Sequence, residues 1–538
     1  MSRISLRENC FLIISLCIFL TSCGQDQKTG ESSSKANELS INLGVDPSTL
    51  DPRQARDIST FNVLNMLYEG LMRLDKDGKP VPGVAKKIDI SEDGLVYTFH
   101  LRESKWSDDT QLTAYDFEYT WKSILNPEFP SEYAHAFYLI KNAQAVAKAE
   151  ASIDEIGIKA IDDRTLVVEL EAPAAFFLQL TALPPFSPIS RQHDIQHPDW
   201  SKNAEKDLLC NGPFVLSSWE IHDEIVVSKN LNYYDADSVT LDKIHLIMVD
   251  EPTELSMFEV GDLDWAGSPI SIIPADAIQA LKDSGELHIT PALGTHFFRF
   301  NVEKAPFNNR KMRQAFSYAI DRAAIVEHVL QGGQMPAMGF LPKSIALQDD
   351  PYFEDNNQAM AQALFQEGLD EMGITVSELP PIALSYTMND RHHKLSQAIQ
   401  QQWKKAFNVD VELDNMEGKV FLDKRRNGEY QIANGSWIGD YSDPINFLEI
   451  FQHKTDSVNN TGWESEEFRE LLNQAKQESD IAIRNEKMHI AEDLLMDEMP
   501  VAPIFFYTYC FLKQKNVKNV HLSDIGHLNF RSAYLEGI

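Results

Sequence analysis

The sequence predicts an α/β protein built as more than one lobe, and three observations carry that reading. The chain has 538 residues, more than one hydrophobic core ordinarily holds. Residues 382–413 show strand, helix and strand patterns in succession, a βαβ unit whose strands lie parallel with a right-handed crossover. Residues 95–170 instead combine alternating strands with one amphipathic helix, the pattern of an α+β layer.

Each element follows from residue spacing. Leu95, Tyr97, Phe99 and Leu101 share one face of a half-buried strand, and Thr113 followed by Asp116 opens a helix carrying Phe117, Trp121, Ile124 and Leu125. Ile156 to Ile158 and Leu166 to Leu170 flank Asp162-Asp163 as a hairpin. Met312, Ala315, Phe316, Ala319 and Ile320 form one helical stripe. In the βαβ unit, Ile382 to Tyr386 is the first strand, Leu395, Ile399, Trp403 and Phe407 mark the helix, and Val409, Val411 and Leu413 alternate again. One long amphipathic helical region is expected from about Ser465 to Met496. Pro500 breaks it, and Val501 to Leu512 is an apolar strand.

The N-terminus reads as an export signal. Arg3 and Arg7 precede the apolar run Phe11 to Leu20, which is too short to span a membrane stably. The run ends in Leu20-Thr21-Ser22-Cys23, which resembles the bacterial lipobox, so residues 1–22 are expected to be removed and Cys23 to carry the lipid anchor. Residues 23–38 are polar and lack apolar periodicity, as a flexible tether does. This places a folded body outside the cytoplasmic membrane, periplasm-facing if the cell is Gram-negative.

Formal net charge is −33, and loss of residues 1–22 makes it −34. Such a body repels phosphate backbones, so nucleic acid is not an expected partner. Once Cys23 is lipidated, Cys210 and Cys510 remain. They stand either as a disulfide or as two buried thiols, with no CxxC or Cys/His metal spacing. No G-x-S-x-G, P-loop or H-E-x-x-H pattern occurs, so no catalytic residue is assigned and no enzyme is expected.

Five segments in order resemble the family-5 extracellular solute-binding proteins, the oligopeptide- and dipeptide-binding proteins of ABC importers. They are LDPRQARDISTFNVLNMLYEGLMRLD (50–75), YTFHLRESKWSDDTQLTAYDFEYTWKSIL (97–125), NGPFVLSSWE with NLNYYD (211–220 and 230–235), KAPFNNRKMRQAFSYAIDR (304–322) and SWIGDYSDPINFLEIF (436–451). The resemblance implies a two-lobed periplasmic-binding-protein fold of the class with two crossing strands, plus an extra α+β domain on lobe I. It places lobe I at 39–65, 186–290 and 507–538, the extra domain at 66–185 and lobe II at 291–506.

It also implies a ligand and its contacts. The ligand is a short peptide, passed to the permease and ATPase subunits of an ABC transporter by a monomeric receptor without a cofactor. Asp440 matches the residue that receives the peptide amine, and Asn434, Gly435, Ser436, Trp437 and Ile438 match those facing the peptide backbone. Arg425 and His392 match variable contacts to the peptide carboxylate. The doubled His392-His393 invites a metal reading, but adjacent side chains diverge and nothing completes a ligand set, so no metal is assigned. Two departures stand out. Asn434 occupies a place where oligopeptide binders commonly have Arg, and Gly294 and Ile438 stand where some relatives pair cysteines. Murein peptides, dipeptides or a nickel chelate are alternative ligands within the fold, and a surface adhesin or a peptide hydrolase are alternatives of another class.

Overall fold

The computed structural model of the protein describes residues 37–537 apart from Pro130, Glu132 and Ser457. The expected signal 1–22, Cys23 and the tether as far as residue 36 lie outside the described residues. Glu38, assigned to that tether on composition, instead begins the strand Glu38–Asn42 and pairs with Lys243.

Two strands of 13 residues each, His288–Phe300 and Val501–Lys513, run antiparallel through the middle of an 11-stranded sheet. At roughly 3.3 Å per residue each reaches about 40 Å, long enough to serve two bodies. Ile432–Ile438, Ile382–Thr387 and Val411–Met416 lie on one side of the pair. Trp265–Gly267, Glu38–Asn42, Lys243–Ile247, Glu224–Lys229 and Phe214–Glu220 lie on the other. The ladder between the long strands lapses between Pro291 and Thr295 and slips again between His296 and Phe297. The second slip accommodates Pro503, which has no N–H to give a ladder. Its carbonyl accepts from Arg322 Nε at 2.6 Å. Arg322 is fully buried, lies 4.6 Å over the Phe353 ring and meets Asp355 at 3.3 Å.

The βαβ unit forms as its spacing predicts, with Ile382–Thr387 parallel to Val411–Met416 and the helix Asp390–Phe407 between them. Leu395, Ile399, Trp403 and Phe407 are its buried face. They meet the buried stripe of the helix Arg310–Tyr318 in one apolar cluster, where Phe316 lies 5.1 Å from Trp403 and 5.3 Å from Phe407. Trp403 Nε1 donates to the Phe316 carbonyl at 2.7 Å, so burying the indole strands no donor.

The 85–169 region forms a separate four-stranded antiparallel sheet. The helix Ala114–Ile124 packs beside it, and a capping box between Thr113 and Asp116 starts that helix. The expected long helix after Ser465 is in fact two, Glu466–Gln477 and Ile481–Glu498. Glu478 turns extended, and the Asp480 side chain accepts from the amides of Ala482 and Ile483, which starts a new helix.

Cys210 and Cys510 are free thiols, not a disulfide. They sit in different apolar clusters, Cys210 in the large one and Cys510 in a small one with Ala266 and Leu512. Burial pushes the Cys210 thiol up to about 12, and the Cys510 thiol donates to the Gly332 carbonyl at 2.8 Å.

Phe316 is fully buried between Trp403 and Phe407. Phe316→Ala should therefore cost about 3–5 kcal/mol in denaturant unfolding, and a loss below about 1 kcal/mol would show that this cluster does not hold the βαβ unit in place.

Candidate functional site

The strand Ile432–Ile438 is held unequally on its two edges. Along one edge all seven residues pair with Gly294–Phe300. Along the other, Ile382–Thr387 pairs only with Ile432 and Ala433. From Asn434 to Ile438 the second edge has no partner strand among the described residues. Backbone N–H and C=O groups alternate along such an edge and invite an extended chain to pair with it. Asn434 and Gly435 are buried at its inner end, while Ser436 and Ile438 are exposed at its outer end.

At Gly439 the chain leaves the strand. A Cβ there would come within 2.5 Å of Leu293 Cδ2, and the Gly439 amide donates to the Leu293 carbonyl at 2.9 Å. The turn is then locked from both sides. Asn446 Oδ1 accepts from Trp437 Nε1 at 3.1 Å and from the Asp440 amide at 3.3 Å. Asp443 caps the next helix through the Ile445 amide and makes a two-pronged buried pair with Arg484 at 2.7 and 2.9 Å. Capping therefore falls to Asp443, and the Asp440 carboxylate is left over. Its Oδ1 accepts from the Tyr133 hydroxyl at 3.4 Å, and no Lys or Arg of the described residues pairs with it.

Asp440 is exposed as a residue, yet protein atoms crowd around its carboxylate. That desolvation raises its pKa, opposed by the charge of His135 and by hydrogen bonds from Tyr133 and Asn446. The turn beyond it joins the wall of a cavity of about 420 Å³ that Thr290, Pro291, Ser442 and Asp524 help to line. Ser442 donates to Asp524 at 2.7 Å, and Tyr441 stacks on Phe176 at 4.3 Å.

The other assigned residues flank the open edge on its two faces. His392 sits in the first turn of the helix Asp390–Phe407, with Nδ1 2.8 Å from Thr387 Oγ1. Its ring lies 5.8 Å from that of His296, which pairs across the ladder with Ser436. Burial, then the charge of Arg391, pushes the His392 pKa down. At neutral pH it is an uncharged hydrogen-bonding group and not a cation. Arg425 ends the helix Gly418–Arg426, half-buried and 5.7 Å over the Phe421 ring.

Four residues of this region went unassigned from the sequence. Arg299 is buried with its Nη1 over Gly435, and it feels the charge of Arg425. His296 is fully enclosed, and desolvation pushes its pKa down to about 3. Tyr507 lies 3.3 Å from His296 Nδ1, and Tyr133 reaches Asp440 from the four-stranded region. Arg299 did leave a sequence signal, as a lone charge inside the apolar run His296 to Phe300. Tyr133 left none, since 307 residues separate it from Asp440.

Two long strands that join two halves of one sheet, with an open strand edge beside the join, are the frame of an extracellular solute receptor. The chain belongs to family 5 of these proteins: the model described as "Bacterial extracellular solute-binding proteins, family 5 Middle" matches residues 79–459. It is 41% identical to the oligopeptide-binding protein OppA of Bacillus subtilis over 98% of this chain and 97% of that protein. Its identity to the dipeptide-binding protein DppE of the same organism is 36%, over 97% of each chain. Among solved structures, the unliganded open form of the periplasmic murein tripeptide-binding protein MppA superposes with a TM-score of 0.83 at 31% identity, covering 93% of this chain and 98% of that one. Listeria monocytogenes OppA bound to peptide superposes at 0.71 with 28% identity, covering 94% and 100%.

The raised Asp440 pKa has a sign that can be checked. Because the folded value lies above the ordinary 3.8, this group's contribution to stability is present below the ordinary value and lost as pH rises through the folded one. At neutral pH Asp440→Asn should therefore leave the ligand-free protein as stable as the parent or up to about 0.5 kcal/mol more stable. Thermal unfolding checks this, and a clear loss of stability would mean that Asp440 serves the fold.

Proposed function

We propose that the protein is an extracytoplasmic receptor that captures short peptides between its lobes and delivers them to an ABC importer. The observation that carries this is the open edge Asn434–Ile438 ending at a carboxylate that no Lys or Arg of the described residues pairs with. An extended peptide adds to that edge by main-chain hydrogen bonds, which takes any sequence. Its free amine meets Asp440, whose desolvation cost in the empty protein is then offset by an opposite charge. The names of the relatives OppA and DppE support peptides as the ligand class.

The remaining parts of the reading rest on the sequence. Cys23 carries the lipid, residues up to 36 tether the body, and the receptor acts as a monomer without a cofactor. The lobes move as 39–65 with 186–290 and 507–538, carrying 66–185, against 291–506. Their motion is taken up where the crossing strands lose their ladder between Pro291 and Thr295. The protein binds and releases its ligand intact. Peptide cleavage that co-purifies with the protein and persists in Asp440→Asn would overturn this last point.

Calorimetry with tri-alanine and acetyl-tri-alanine tests the amine site. Acetylation should weaken binding by about tenfold or more, and Asp440→Asn should remove the difference. Binding of the free amine should also weaken as pH falls through the raised Asp440 value, since protonation removes the partner charge. Equal affinity of the unmodified protein for both peptides would refute the assignment. Small-angle scattering should show a smaller radius of gyration on saturation, and an unchanged radius would exclude closure.

A further inference from the structure

The ladder between the two crossing strands lapses where Ala292, Leu293 and Gly294 face only Tyr507. Leu293 therefore has no partner in that ladder, and because the residue is buried its backbone groups must bond elsewhere. Its amide donates to the Asp524 carbonyl at 2.7 Å, and its carbonyl accepts from the Gly439 amide at 2.9 Å. Asp524 comes from the C-terminal part of the chain, while Gly439 opens the turn that carries Asp440. One residue of the lapse thus holds a segment assigned above to lobe I and a segment assigned to lobe II.

A second link closes the ring. Ser442 Oγ lies 2.7 and 2.8 Å from the two oxygens of the Asp524 carboxylate and shares its one proton between them. A hydrogen bond to an ionised acceptor is stronger than one between neutral groups. Asp440 therefore lies between two pinned neighbours, Gly439 held by Leu293 and Ser442 held by Asp524. The support behind Asp524 is firm. It stands on the turn between the short strands His521–Leu522 and Leu528–Asn529. Fully buried Asn62, in the helix Ile58–Leu67, grips that turn: its Nδ2 donates to the Gly526 carbonyl at 3.0 Å, and its Oδ1 accepts from the Leu528 amide at 2.6 Å. The Asp440 turn also has locks of its own in Asn446 and in the Asp443–Arg484 pair. Breaking the Ser442–Asp524 bond thus leaves the turn folded and removes its side-chain attachment to the other lobe.

Resting on the peptide reading above, we propose that Asp524 is a positioning residue for the amine site: with Leu293 it forms a pivot that holds the Asp440 turn beside the hinge. A contact next to a rotation axis moves little when lobes turn. The Asp440 carboxylate then occupies one place relative to both lobes, and the ligand amine meets it without first having to order the turn. Fixing a binding group in advance raises affinity by lowering that ordering cost. Asp524 acts through Ser442 and not on the peptide.

Calorimetry on the full chain with tri-alanine and acetyl-tri-alanine tests the pivot. Ser442→Ala should weaken tri-alanine binding about threefold to tenfold and change acetyl-tri-alanine binding by less than about twofold, so the preference for a free amine narrows. Ser442→Thr keeps the hydroxyl and should keep the preference. Asp524→Ala should reproduce Ser442→Ala, and if it does not fold the two Ser442 variants still decide the matter. In the Asp440→Asn background Ser442→Ala should cause no further loss, because the group being positioned is gone. Equal weakening of both peptides, or a further loss in that background, would mark the Ser442–Asp524 bond as merely structural and overturn the proposal. Tighter binding of both peptides, with a smaller ligand-free radius of gyration in scattering, would make it a latch that holds the lobes apart and overturn the pivot as well. A full free-amine preference retained in Ser442→Ala would sink this proposal and leave the peptide reading standing. No preference in the unmodified protein would sink the amine assignment and the pivot together.

Discussion

The antiparallel ladder between His288–Phe300 and Val501–Lys513 is the constraint on which the rest of the molecule depends. These strands belong to both halves of the sheet, so each half is positioned by reference to the same backbone. The open edge lies one strand away from this ladder, and its inner pairing to Gly294–Phe300 is complete. The long pair thus gives the open edge a continuous ladder behind it. The lapse between Pro291 and Thr295 then sits where the two halves meet.

Around this frame, charged groups divide into two kinds. Arg322, Arg484 and Arg53 are buried with carboxylates in reach, and they tie elements together. Asp440, Arg299 and Arg425 stand beside the open edge without such partners. Unmatched charge costs stability, and here two guanidiniums, those of Arg299 and Arg425, lie near one another beside the open edge. The two signs come from different elements: Arg299 leans over Gly435 from the neighbouring strand, and Asp440 lies just past the end of Ile432–Ile438.

Several elements were legible because local patterns and tertiary packing agree. The βαβ unit, the 158–169 hairpin and the capped helix Ala114–Ile124 all form where their periodicity places them. The break at Glu478–Asp480 was not legible, since Asp480 reads as one more polar residue on a helical surface until its cap is seen. Nor could spacing decide between thiols and a disulfide for Cys210 and Cys510, because only their placement in separate clusters excludes a bridge.

By itself, the sequence determined the element types, the family resemblance and the segment Ser436–Tyr441 as the likeness that names the ligand end of the strand. These are local properties, carried by spacing and by motif. Tertiary structure alone decided that the edge beyond Ala433 is unpaired, that Asp443 and not Asp440 does the capping, and that Arg299 leans over Gly435. The first and the last depend on which strands meet across tens of residues of chain or more, and no short-range pattern encodes such a meeting; the choice between Asp443 and Asp440 is made by how the turn between them folds.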